Sequence, residues 1–155
     1  MKAILFALSS LLATAPALAA DKHKSSSPEY LSTDATIKLN LPFSEAVRVG
    51  NTLYLSGVVG LVPGTRTLVA GGIEAQTKQV LENIRTVLER NGSSMDNVFK
   101  CTVMLTDMSE WAKMNAVYVT FFPKHFPARS AIGANGLALG AAVEIECMAA
   151  VADAG

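Results

Sequence analysis

The sequence predicts an α+β fold, a mixed sheet with two helices packed on one of its faces. Three observations point there. Segments in which apolar residues recur at every second position flank two segments with a helical period. Their order is hairpin, helix, strand, helix and two strands, which suits a mixed sheet better than a regular parallel one. Pro-Gly, Asn-Gly and Gly-Asn pairs stand at the joints between them.

The elements follow in chain order. Residues 36–40 form a short alternating segment. Residues 46–49, the pair Gly50-Asn51 and residues 52–56 read as a β-hairpin, because both turn residues tolerate positive φ. Strand character continues over 57–62 up to the Pro63-Gly64 turn. Gly72 to Arg90 is the clearest helix. Ile73, Val80, Leu81, Ile84, Val87 and Leu88 share one face, Glu74, Lys78, Glu82, Arg85 and Glu89 face away, and Asn91-Gly92 ends it. Residues 98–106 alternate as a strand, with Phe99, Cys101, Val103 and Leu105 in one phase. Ser109 is placed to cap a second helix, whose apolar stripe is Trp111, Met114, Tyr118, Phe121 and Phe122, and Pro123 stops it. Two more strands span 129–135 and 142–150, joined by a Gly-rich stretch. With both helices on one face, the other face of the sheet carries Met104, Met148 and Glu144. That is a poor surface for open water, and self-association would cover it.

The first 19 residues are a different material. Lys2 is a positive start, residues 3–12 are an apolar run too short to span a bilayer, and Ala17-Leu18-Ala19 suits a signal peptidase. The reading is a signal peptide over 1–19, a flexible leader over 20–35 and one domain over 36–155, with the mature protein periplasmic or secreted. Without Lys2 the chain has 12 basic against 13 acidic residues, a formal charge of −1. A near-neutral chain with no basic run lacks the electrostatic footprint of a nucleic-acid binder, and no membrane contact is expected after cleavage. Export permits a disulfide between Cys101 and Cys147. Both lie in the apolar phase of their strands, however, and the sequence predicts reduced, buried thiols. Their spacing is no metal motif, and neither His23 nor His125 has companions, so no metal is expected.

Few groups suggest chemistry. No Ser-His-Asp set and no phosphate-binding Gly loop is visible. Arg129 stands just after a proline turn, where its forked donor suits a carboxylate or phosphate. Glu144 lies on a strand in the phase opposite its aliphatic neighbours, where a partly dry carboxylate can hold or deprotonate water. The same two residues also fit an ordinary surface ion pair or two solvated charges.

At these residues a family resemblance appears. Pro127-Ala128-Arg129-Ser130, followed by the stretch from Gly136 through Glu144 to Glu146, resembles the C-terminal signature of the RidA/YjgF family. Residues 50–57 resemble its N-terminal hairpin. Asn115-Ala116-Val117-Tyr118, with Phe121-Phe122-Pro123 after it, resembles its second helix. The likeness covers about residues 36 to 152.

The resemblance implies a chorismate-mutase-like α+β fold, a homotrimer, and ligand sites in the clefts between subunits. It implies hydrolytic deamination of 2-iminobutanoate and 2-iminopropanoate to 2-oxo acids and ammonia, without a cofactor. Arg129 would grip the substrate carboxylate, Glu144 would position the attacking water, and Ser56, the backbone at Gly57 and Asn115 would line the cleft. Phe43 stands at this cleft where the deaminases usually have tyrosine, and Ala131 stands where many have cysteine. These departures bear on substrate range and rate. They and the export signal also leave room for a non-enzymatic trimeric module that binds small carboxylates. An endoribonuclease activity, attributed to some relatives, fits the charge balance poorly.

Overall fold

Residues 27–151 are described by the computed structural model, so the segment read as a signal peptide lies outside the described residues. The segment read as a leader is already structured in part. β1 (Glu29–Leu31) pairs antiparallel with β2 (Ala46–Val49), and α1 (Asp34–Lys38) follows it. The alternation seen over 36–40 therefore falls in a helix and its exit. Thr33 makes the difference: its side chain accepts the Thr36 N–H, and an N-cap outweighs a weak alternating pattern over so few residues.

β2 and β3 (Thr52–Leu55) form the expected hairpin, with Gly50 at a φ of 59°. β3 then breaks, and β4 (Val58–Val59) resumes the pairing. One residue more separates Tyr54 from Val58 than separates their partners, Met148 and Ile145. The surplus is taken up at Ser56-Gly57, in the manner of a bulge beside a site.

α2 (Gly72–Arg90) has the predicted bounds and buries Ile73, Val80, Leu81, Ile84 and Leu88. Gln76 and Thr77 are buried with them. β5 (Val98–Leu105) is the predicted strand with one correction of phase. A register shift between Val98 and Lys100 buries Val98 and leaves Phe99 exposed, while Cys101, Val103 and Leu105 keep the inward phase. The second helix also starts differently. Asp107 accepts the Ser109 N–H, a 3-10 turn covers Met108–Glu110, and α3 runs over Trp111–Tyr118. Ser109 is thus capped, not capping. β6 (Ala128–Gly133) and β7 (Val143–Ala150) complete the sheet.

The strands form one sheet in the order β1-β2-β3-β7-β5-β6, with β4 also paired to β7. β5 and β6 are parallel and every other pair is antiparallel. The mixed sheet with helices on one face is therefore the architecture predicted. The last strand lies between β3 and β5, near the middle of the sheet. That insertion brings Cys147 directly opposite Cys101, and the two form a disulfide with a Cα–Cα distance of 4.1 Å. The expectation of reduced thiols is overturned. Burial was read correctly, since both residues are almost fully buried, but phase alone does not reveal which strands are neighbours.

Candidate functional site

Arg129 is the second residue of β6, an edge strand, two positions after the buried Pro127. The fixed φ of proline and the first ladder pairs to β5 set where its side chain departs. In register it lies opposite Cys101, on the helix-covered side of the sheet. There α3 receives it. Its Nη1 donates to Asn115 Oδ1 at 2.8 Å. Its guanidinium carbon is 4.6 Å from the ring centre of Tyr118 and 5.7 Å from that of Trp111. Asn115, Tyr118, Val119, Phe126, Pro127 and Arg129 enclose an open cavity of about 360 Å³. Arg129 forms no ion pair with any described residue, so its remaining donors are free for an anion. Tyr118 is nearly fully buried. Its pKa is pushed up to about 12 by that burial, opposed by the charge of Arg129.

Glu144 belongs to a different half-site. It faces Met104 across β5 and Val59 across β4, in the phase opposite the buried Val143 and Ile145. That is the face without helices. The break at Ser56-Gly57 brings backbone against it: a Cβ added at Gly57 would stand 1.9 Å from Glu144 Oε1. Only a residue without a side chain leaves the carboxylate its place. Burial raises the Glu144 pKa from its ordinary value, and the like charge of Glu146 adds to it. Ser56 Oγ donates to the Ser44 carbonyl at 2.7 Å, tying the break to the loop that carries Phe43, whose ring is 52% exposed. Upstream, the buried Gln76 Oε1 accepts the Ala142 N–H at 2.8 Å and so fixes the entry to the Glu144 strand.

The sequence-derived residues therefore fall into two groups. The structure brings Asn115 to Arg129, and Gly57 to Glu144 beside Ser56. It does not bring Arg129 to Glu144, since they occupy opposite faces of the sheet in one chain. Three residues escaped the sequence reading. Trp111 and Tyr118 look like core stripe in the sequence, yet with Asn115 they stand at i, i+4 and i+7, one face of a helix. Gln76 was passed over, although an amide among Ile73, Thr77 and Val80 on a buried face needs a partner. Among the described residues no group of three or more His, Cys, Asp or Glu is arranged to hold a metal.

Comparison with known proteins now bears on this arrangement. A family model described as Endoribonuclease L-PSP matches residues 33–151. The chain is 43% identical over 108 residues to the 2-iminobutanoate/2-iminopropanoate deaminase of Mus musculus, covering 70% of this chain and 80% of that protein. It is 39% identical over 121 residues to the chloroplastic Reactive Intermediate Deaminase A of Arabidopsis thaliana, covering 78% of this chain. It spans 65% of that plant protein, just under two thirds of its length. The crystal structure of the YjgF gene product of E. coli superposes with a TM-score of 0.71 at 31% identity, over 79% of this chain and 98% of that one.

Proposed function

Because the chain belongs to the Endoribonuclease L-PSP family, the RidA/YjgF family that its motifs resemble, we propose that it hydrolyses 2-imino acids to 2-oxo acids and ammonia. One observation carries this reading. Arg129 is held by neutral partners, Asn115 and two aromatic rings, and keeps its charge and part of its donor fork unspent. An arginine held in this way is a receptor for a planar carboxylate. A 2-imino acid carries its carboxylate next to the electrophilic carbon, so gripping one positions the other. Glu144, with its raised pKa, suits the second task. It takes a proton from water as the oxygen adds to the protonated imine carbon, gives that proton to nitrogen, and takes the hydroxyl proton as the C=O forms, the C–N bond breaks and ammonia leaves.

The site is completed between subunits of a homotrimer, Arg129 and Asn115 coming from one copy and Glu144, Gly57, Ser56 and Phe43 from the next. Opposite faces of one sheet supply the two halves, which supports this assignment. The protein works outside the cytosol. The N-terminal signal pattern supports that location, and so does the Cys101–Cys147 disulfide, a bond at home in oxidising compartments.

Purified mature protein is to be assayed for ammonia and oxo-acid release from enzymatically generated 2-iminobutanoate, in parallel with titration by 2-oxobutanoate. Arg129→Lys keeps the charge but loses the fork and should weaken binding. Glu144→Gln keeps the shape, should still bind, and should lose turnover by about a hundredfold, as removal of a general base does. Binding of the oxo acid by wild type with no ammonia above background would establish a binding module instead.

A further inference from the structure

We propose that Trp111 and Tyr118 are positioning residues for Arg129, forming with Asn115 an aromatic clamp that fixes the guanidinium in its binding pose before substrate arrives. The inference rests on the reading of Arg129 as the carboxylate receptor, and it extends that reading to residues that never touch the reacting carbon.

The three residues occupy one face of α3 at i, i+4 and i+7, and each makes a different contact with the same side chain. Asn115 fixes one nitrogen at 2.8 Å, Tyr118 lies 4.6 Å from the guanidinium carbon and Trp111 5.7 Å from it. Both rings are within the distance at which a cation is attracted by the negative face of an aromatic ring. Such a clamp differs from a carboxylate clamp in one respect. It orients the cation without neutralising it, so the full charge remains for the ligand. It also removes rotamer freedom that binding would otherwise have to remove.

The placement of Trp111 argues against a merely structural role. Met114 and Tyr118 of the same stripe are buried, whereas Trp111 is 39% exposed. A large ring left this open contributes less to the core than its buried neighbours, and the Arg129 guanidinium carbon lies over it at 5.7 Å. Lysine at position 129 would offer no planar face for either ring to stack against.

Trp111 is the sole tryptophan of the chain, and its fluorescence therefore reports this contact directly. Emission and acrylamide quenching of unliganded wild type should differ from those of Arg129→Gln. Identical spectra would overturn the clamp whatever the protein binds. With 2-oxobutanoate as probe, Trp111→Leu and Tyr118→Leu should each raise Kd about three- to tenfold, and KM should rise more than kcat falls. Tyr118→Phe keeps the ring and should bind within about twofold of wild type. Trp111→Leu should have little further effect in an Arg129→Lys background. Melting curves separate misfolding from loss of binding, and the exposed Trp111 carries the test if Tyr118→Leu fails to fold. Folded variants that bind as tightly as wild type would sink the proposal. Absence of 2-oxobutanoate binding by wild type would instead count against the deaminase reading, leaving the unliganded spectra to decide on the clamp.

Discussion

The position of Glu144 costs the fold stability. Its raised pKa means that the folded protein holds the Glu144 proton more tightly than the unfolded chain does. Below the ordinary carboxylate pKa of 4.5 both states are protonated and the group makes no difference. As pH rises through that value the unfolded chain releases its proton first, and the folded state loses ground until the raised pKa is passed. Glu144→Gln removes the penalty. Its melting temperature should exceed that of wild type at about pH 7.5 and converge with it at about pH 4, while hydrolysis is lost at both. A variant that melts below wild type at the higher pH would show that the charge is better solvated than its position implies. In wild type, activity should fall as pH drops through the raised pKa, because the protonated carboxyl cannot accept a proton from water. Gly57 makes the complementary point. Gly57→Ala would drive a methyl into the space of the carboxylate, 1.9 Å from Oε1, so the Glu144 side chain must swing away. Circular dichroism should remain that of the folded protein while kcat falls by an order of magnitude or more, as expected when a reacting group is misplaced by about an ångström. Unchanged turnover would mean that Glu144 acts from another rotamer.

At the scale of elements, the disulfide joins β5 to β7 across a sequence separation of 46 residues. In the chain-entropy model, closing a loop of that length stabilises by about 4 kcal/mol. Replacing both Cys101 and Cys147 by alanine should therefore lower the melting temperature by about 10 °C or more. Thiol counting in denaturant without reductant should find none in protein made under oxidising conditions. Two thiols per chain would return Cys101 and Cys147 to the reduced core residues that their strand phases suggest. This bond marks where the sequence stops being legible. Periodicity is a local property, and it gave α2 its bounds and the strands and hairpin their places. Pairing order is not local. Nothing in the alternation of residues 142–150 says that this strand inserts between β3 and β5, and the disulfide depends on that insertion. Short elements were also hidden, since α1 is decided by one Thr33 cap and the exposure of Phe99 by one bulge. The candidate site was legible in its charged members, Arg129 and Glu144, and in Asn115 and Gly57 through their motifs. The rings around Arg129 were not, because aromatic residues at helical spacing look the same whether they fill a core or hold a cation.

At the scale of the whole molecule, the two halves of the proposed site cannot meet in one chain. Arg129 is aligned with Cys101 on the covered face and Glu144 with Met104 on the open one. The open face is also the one that a sheet in water should not have. Tyr54 is exposed there, Met104 and Met148 are only partly buried, and Ile132 on the β6 edge is 50% exposed. The proposed homotrimer would cover this surface and complete the site in the same event, and light scattering on the mature protein should give the mass of three chains. Mixing tests the assignment of halves. Co-expressing Arg129→Lys and Glu144→Gln subunits in equal amounts gives trimers assembled at random. A cleft is then intact when its arginine comes from a Glu144→Gln copy and its glutamate from an Arg129→Lys copy, which holds for about a quarter of clefts. Two nearly inactive variants should thus yield about a quarter of wild-type activity together, with wild-type KM. If both residues served the same site from one subunit, no mixture could exceed the average of its inactive parents. Failure to recover activity in a mixture shown by mass spectrometry to contain hybrid trimers would exclude a site shared between copies.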